Sequence, residues 1–253
     1  MTDRELVPAL SKGIRILDTL AEAEEPMTLT RLSTAIGAAK STTSNLCSVL
    51  EQQRLIHRRR DGYALGRRAL ELGGSYLQSF DQLREFYEVT SELPHLRRQL
   101  VKVAMLDGTD VLYLARHEGR APLRLSASIG DRFPAASTAV GNILLARLPA
   151  DDLEQLFADM DSFPRLTAHS TKDLDELRQR VDLARSQGYA EERGAILDDV
   201  HGLAVALPAA RAGDPDLAIG ASFVASRTDE ATRAEILAET QELRDRLSNP
   251  LRP

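Results

Sequence analysis

Apolar and polar residues alternate with a helical period at the start of the chain. Ala9, Ile14, Ile16, Leu17 and Leu20 recur at helical intervals until Glu24-Glu25-Pro26 ends the pattern, which predicts a first helix. Thr28 stands where it can cap a second, Leu29 to Ile36, with Leu29, Leu32 and Ile36 on one side. Gly37 then supplies the left-handed or otherwise unusual backbone of a tight turn. A third helix, Lys40 to Gln53, has Leu46, Val49 and Leu50 as its inward stripe. Lys40, Ser41, Thr42, Thr43, Ser44 and Asn45 form its opposite, early face. Leu55–Arg58 and Tyr63–Leu65 read as two short strands joined at Asp61-Gly62.

Helices followed by a hairpin in this order predict a winged helix-turn-helix over residues 6–66. The third helix exposes small hydroxyl and amide groups that reach base edges in a major groove, with Lys40 near a phosphate. Arg58-Arg59-Arg60 falls at the wing tip, where a strand pair meets phosphates or the minor groove; guarding an edge strand is the other use of such a run. The expected DNA-facing set is Thr28, Arg31, Lys40, Ser41, Thr42, Thr43, Ser44, Asn45, Arg58, Arg59 and Arg60.

Residues 67–95 carry Ala69, Leu70, Leu72, Leu77, Phe80, Leu83, Phe86 and Tyr87 at helical spacing, which predicts a linker helix that Gly73-Gly74 breaks or bends. So many apolar groups imply burial against the second domain or a partner chain. Residues 96–250 mix strands and helices. Strands are expected at Val101–Leu106 and Val111–Arg116, at Leu123–Ser126, and at Val200–Leu207 and Leu217–Val224 about Gly213-Asp214-Pro215. Helices are expected at Thr138–Leu148, Asp151–Met160, Thr171–Gln187 and Asp229–Leu247. Strand pairs separated by helices indicate an α+β domain with a mostly antiparallel sheet.

Charge sharpens this division. The formal net charge of the 253 residues is −6, yet residues 1–70 hold eleven Lys and Arg against eight Asp and Glu. A basic head on an acidic body fits one module that touches a polyanion and one that does not. The apolar fraction of 43% is that of a folded globular chain. No apolar run reaches the ~18–20 residues of a membrane span, and the polar N-terminus lacks a signal-peptide stretch, so a cytoplasmic protein is expected. Cys47 is the single cysteine, expected as a small buried hydrophobe. The five histidines lack metal-ligand spacing, and neither a cofactor nor a metal is expected. His201 either donates into a pocket or faces solvent.

Several motifs resemble the IclR-type bacterial transcriptional regulators. These are Val7-Pro8-Ala9-Leu10, Met27-Thr28-Leu29, Ala38-Ala39-Lys40-Ser41-Thr42 and Gly62-Tyr63-Ala64-Leu65-Gly66 in the first part. Leu106-Asp107-Gly108, Tyr113-Leu114-Ala115-Arg116, Thr138-Ala139-Val140-Gly141 and Gln187-Gly188-Tyr189 continue the likeness. The resemblance implies a DNA-binding transcriptional regulator, a repressor or an activator. It implies a homodimer or dimer of dimers on a near-palindromic operator, modulated by a small carboxylate effector, with no membrane partner. Ile14, Leu17, Leu77 and Phe80 are the expected dimer contacts. A winged helix that binds protein, and a small-molecule enzyme built on the second domain, are the alternatives; no nucleophile motif or phosphate-cradling loop supports the enzyme.

The resemblance also implies an effector pocket. Thr138, Ala139, Val140 and Gly141 open a helix whose backbone N–H groups favour a carboxylate, and Glu192, Val200, Gly202, Gly220 and Ser222 form the opposite wall. The chain departs from the family pattern at Ala39, Asn45, Ala136, Asn142 and Gly202. Glycines at 202 and 220 are expected to enlarge the pocket toward a bulkier, less polar acid; the alternative is that they serve sheet packing.

Overall fold

A proline in its first turn, where a missing N–H has no helical partner to lose, opens α1 (Pro8–Ala21). The Thr28 hydroxyl accepts from the Arg31 N–H at 3.3 Å and caps α2 (Leu29–Ala35). After a turn at Gly37, with φ +62°, α3 spans Lys40–Gln52. β1 (Ile56–Arg58) and β2 (Tyr63–Leu65) pair antiparallel, and α4 (Arg67–Leu77) follows. The computed structural model describes residues 6–119, 127–160 and 162–248, and the chain divides into two units between Ser79 and Phe80.

The core of the first unit corrects the predicted face of α3. Thr43 and Cys47 are fully buried with Leu32, Ile16 and Ile36, and Leu46 and Leu50 lie half-buried beside them. Val49, expected inside, is 56% exposed. The buried line is 43, 47, 50, because small Thr and Cys side chains allow α1 and α2 close against α3.

The hairpin is also tied differently from the expected two-residue turn. Arg58 faces Tyr63 across the ladder and the Arg59 N–H donates to Gly62 O at 2.6 Å, so Arg59–Gly62 form a four-residue loop. Gly62, at φ +152°, lies so close to Met27 that a Cβ there would strike the Met27 carbonyl. That approach lets Met27 and Tyr63 exchange two backbone hydrogen bonds, at 2.8 and 2.9 Å, which lock the wing to the lead-in of α2.

Residues 67–95 are not one helix. α4 ends at Leu77, running through Gly73-Gly74 without a break, and α5 (Phe86–Glu92) belongs to the second unit. The continuous apolar spacing conceals a change of environment. α4 buries none of its residues, whereas Phe80, Phe86 and Val89 lie in the second unit's core.

In that unit the described strands form one antiparallel sheet in the order β5-β4-β3-β8-β7-β6. They are β3 (Leu100–Asp107), β4 (Asp110–Glu118), β5 (Arg132–Pro134), β6 (Ala190–Arg193), β7 (Val200–Leu207) and β8 (Leu217–Val224). β5 and β6 were not expected: both are short edge strands, one ending in proline and one mostly charged, as edges tend to be. The expected strand at Leu123–Ser126 lies outside the described residues. α6 (Ala139–Leu145), α7 (Ala150–Phe157), α8 (Leu174–Gln187) and α9 (Glu230–Ser248) fall within one to three residues of their expected bounds.

Strand alternation gives the sheet two unlike faces. Gly202, Ala204 and Ala206 of β7 share one face with Ala218, Gly220 and Ser222 of β8, and α6 packs there. Leu203, Val205, Leu207, Leu217, Ile219 and Phe223 point to the other face, where α9 lies. Glu239 of α9, almost fully buried, accepts from the backbone N–H groups of His95 and Leu96 at 2.9 and 2.8 Å, closing the end of α5 onto α9.

Candidate functional site

The first unit presents a polar surface from α2, α3 and the wing. Thr28, Arg31, Lys40, Ser41, Thr42 and Asn45 are exposed, as are Arg58, Arg59 and Arg60; Ser44 is half-buried. The wing loop folds beside the start of α2, so that Arg58–Arg60, Thr28 and Ser44 border one groove. Thr43 is the exception in the expected set. It is fully buried and its hydroxyl donates to Ala39 O at 3.0 Å, so it faces α1 and α2 rather than a ligand. The Arg58 guanidinium stands 5.8 Å from the Tyr63 ring centroid. Arg59 Nε donates to His57 Nε2 at 2.9 Å, which assigns the proton to Nδ1, the atom that donates to Leu65 O at 2.9 Å. The wing arginines are therefore partly ordered by their own hairpin.

In the second unit, α6 and the small face of the sheet enclose a cavity. Thr138, Ala139, Val140, Glu192, Val200, Gly202, Gly220 and Ser222 all line it, with Ile196, Lys102 and Tyr113. Gly141 does not: a Cβ there would strike Ala135 O, so its smallness serves the close approach of α6 to the preceding turn. The Thr138 hydroxyl accepts from the Gly141 N–H at 3.0 Å and caps α6.

Lys102 and Tyr113 were missed from the sequence. Lys102 is 5% exposed; its Nζ donates to Ser222 Oγ at 2.9 Å and lies 5.1 Å from the Tyr113 ring centroid. Burial pushes its ammonium down to about 8, with repulsion from Arg116 adding to the effect and attraction to Glu192 opposing it. Glu192, as deeply buried, is pushed up to about 7 by desolvation, against the N–H groups of Ala195 and Ile196 and the charge of Lys102. The signal available was a lone lysine in the otherwise apolar run Leu100-Val101-Lys102-Val103-Ala104. His201 projects from the opposite face, with its ring edge to Phe223, and Glu191 likewise pairs with Arg233 at 2.8 Å outside the cavity.

The cavity is small. Its free volume is about 20 Å³, room for little more than one water. The space expected from the two glycines is occupied. A Cβ on Gly220 would lie 2.5 Å from Val140 Cγ1, and one on Gly202 would meet Glu192 Oε2 at 3.3 Å and the Ala139 methyl at 3.5 Å. The glycines serve close packing of α6 and Glu192 onto the sheet, which corrects the expected enlargement, and Lys102 and Glu192 make the walls more polar than expected.

Residues 9–60 match the IclR helix-turn-helix domain, and residues 74–249 match the bacterial transcriptional regulator IclR C-terminal domain. The chain belongs to the IclR family of bacterial transcriptional regulators. Among IclR-family relatives, the transcriptional regulator XynR of Escherichia coli is 25% identical over 249 residues, covering 97% of this chain and 98% of that one. KdgR of Dickeya chrysanthemi is 29% identical over 188 residues, 74% of this chain but 61% of its own length. The fold agrees with the IclR of Thermotoga maritima (TM-score 0.75, 20% identity, 96% and 98% of the two chains). It agrees too with an IclR homologue from Microbacterium hydrocarbonoxydans solved with 4-hydroxybenzoate (TM-score 0.82, 22% identity, 96% and 98% coverage). Both matched domains are those of regulators, so this IclR-family chain is a transcriptional regulator and not an enzyme.

Of the departures from the IclR pattern, Ala136 and Asn142 do not line the cavity. The Ala136 carbonyl accepts from the buried Thr171 hydroxyl at 2.5 Å. Asn142 is 1% exposed, and among the described residues neither its Nδ2 nor its Oδ1 has a hydrogen-bond partner. Phe80 is buried in the second unit and so is not available as the dimer contact expected of it, while Leu17 is half-buried against the first unit's core. Ile14 remains exposed, with Leu10 on the same side of α1 and Leu70, Leu72 and Tyr76 on α4. Among the described residues no helix is long and apolar enough to cross a membrane, and no His, Cys, Asp and Glu group is arranged to hold a metal.

Proposed function

We propose that this IclR-family regulator binds a near-palindromic operator as a homodimer or dimer of dimers, and that a small carboxylate in the second unit's cavity modulates that binding. The observation that carries the effector reading is a buried ammonium, Lys102, on the wall of an enclosed cavity that also adjoins the capped start of α6. The family relative solved with 4-hydroxybenzoate, an organic acid, supports the same ligand class. With room for about one water, the cavity admits an acid only if Val140 and the start of α6 yield, and such movement is a means of passing occupancy to the rest of the chain. On the DNA side, Lys40, Ser41, Thr42 and Asn45 on α3 supply base-reading and phosphate-binding groups, and Arg58–Arg60 neutralise phosphates. The exposed apolar residues of α1 and α4, Leu10, Ile14, Leu70 and Tyr76, supply an interface between copies.

Selection of an operator from a random duplex pool, followed by binding isotherms at several salt concentrations, tests the first part. Two inverted half-sites and a steep salt slope are expected, and Arg58→Ala or Arg60→Ala lowers the slope by about one without changing sequence preference. Duplex binding without salt dependence returns the first unit to the protein-binding alternative. A thermal-shift screen of small carboxylates tests the second part, since a ligand at ~100 times its Kd adds ~2.7 kcal/mol. A screen in which no acid shifts the melting temperature removes the effector reading.

A further inference from the structure

Lys102 is a buried cation held by neutral groups. An ammonium carries three donors, and here one meets the Ser222 hydroxyl and the charge faces the Tyr113 ring. Among the described residues no carboxylate reaches Lys102 as an ion-pair partner, although buried charges are ordinarily paired. The register places a carboxylate on the facing wall. Glu192 on β6 is opposite Gly202 on β7, and Gly202 is opposite Ser222 on β8, the residue that holds Lys102. Two strand steps, roughly 9–10 Å of backbone, separate β6 from β8 at this level, and the Glu192 carboxylate reaches over Gly202, whose missing side chain leaves it that room on the way to Ser222 and Lys102. The Ala195 N–H donates to Glu192 Oε1 and the Ile196 N–H also bonds to this carboxylate, while Oε2 lies toward Gly202.

We propose that Lys102 and Glu192 set the class of effector: a small acid with a hydrogen-bond donor, hydroxyl or ammonium, at its other end. Its carboxylate lies on Lys102 and Ser222 and its donor lies on Glu192. This rests on the effector reading above and adds the requirement for the second group. A plain acid satisfies Lys102 but adds a second acidic group beside Glu192 and offers nothing to the Glu192 oxygen that lies toward Gly202. A hydroxy or amino acid satisfies both walls, and discrimination of this kind is large where a site's own buried polar group would otherwise stay unpaired.

Calorimetric titration of the full chain with two matched sets of acids tests this: propionate, 3-hydroxypropionate and 3-aminopropionate, and benzoate with 4-hydroxybenzoate. In at least one set the donor-bearing acid should bind about tenfold or more tightly than the plain one, as one satisfied buried carboxylate implies. Glu192→Gln should bring the members of that set to within about threefold of each other, because the charge is gone. The amide still accepts from the Ala195 N–H, so the turn after β6 keeps its anchor. Lys102→Met should weaken every member about tenfold or more, with an unreduced melting temperature showing that the fold survives; Ser222→Ala provides a smaller cut at the same end. Plain acids binding as tightly as their donor-bearing partners, or Lys102→Met keeping wild-type affinities, overturns the proposal while leaving the effector reading intact. Failure of every acid in both sets to bind the wild-type chain overturns the effector reading as well.

Discussion

Replacing Lys102 by methionine removes a buried charge while keeping a flexible side chain of similar length, and the structure gives the pH dependence of the result. The ammonium is lowered from 10.5 to about 8, which at ~1.4 kcal/mol per unit is at most about 3–4 kcal/mol of folding free energy. Below pH 8 both folded and unfolded chains carry the proton, so the full burial penalty is present. Between pH 8 and 10.5 the unfolded chain binds a proton that the folded one has shed, so wild-type stability rises with pH in that window. Glu192 acts in the opposite sense. Its folded value of about 7 exceeds 4.5, so stability present below pH 4.5 is lost as pH rises through 7. Tyr113, held above its ordinary value by burial, and the outlying groups are common to both proteins and largely cancel in a difference. At pH 7 the Met variant is relieved of that net penalty, which already includes the attraction to Glu192, but loses the bond to Ser222, worth about 1 kcal/mol. The net expectation is a variant as stable as wild type or more so at pH 7, whose advantage falls by about 3 kcal/mol by pH 10.5. Urea unfolding followed by far-ultraviolet circular dichroism measures this in a chain that contains no tryptophan. A stability difference that is flat across that window, or grows with pH, refutes the account of Lys102 as a buried, weakly compensated cation.

Other substitutions address the remaining elements. Arg54 follows α3 with φ +60°, a left-handed conformation that glycine adopts without strain; Arg54→Gly should stabilise the first unit by about 1 kcal/mol, read as a higher melting temperature, and a lower one counts against strain there. Thr43→Val should leave operator preference unchanged while costing about 1 kcal/mol of stability, because the hydroxyl bonds only to Ala39 O. Asn45→Ala should lose ~1–3 kcal/mol of discrimination at one or two base positions, measured on singly substituted operators; equal losses from both variants would show that α3 presents a different face. Gly141→Ala should cost about 3 kcal/mol or more, since a Cβ collides with the Ala135 backbone rather than with a movable side-chain end, and a melting temperature within a degree of wild type would contradict the tight seam between α6 and the turn before it.

What was legible in the sequence was whatever depends on local periodicity. The helices of the first unit, the hairpin, the long strands β3, β4, β7 and β8, and the cap at Thr28 all follow from residues a few positions apart. The alternation of small and large residues in β7 and β8 even marks which face a helix can approach closely. The edge strands β5 and β6 gave no such signal, because a strand of three or four residues at a sheet edge is defined by its neighbour's backbone. Residues 67–95 misled for a related reason: helical apolar spacing records that residues are buried, not which core buries them.

By itself, then, the sequence determined the two-part organisation and the winged helix with its basic surface, while the cavity wall formed by Thr138–Val140, Glu192, Val200, Gly202, Gly220 and Ser222 followed from its resemblance to the family. Only the tertiary structure decided that Thr43 faces inward, that Val140 and Glu192 occupy the room beside the two glycines, and that Lys102 enters the same cavity from a strand about ninety residues or more from Glu192, Gly202 and Ser222. The physical reason is one of range. Backbone propensity and period are set within a turn or a strand, whereas the volume left beside a glycine, and the charge opposite a carboxylate, depend on which distant segment the packed sheet brings against it.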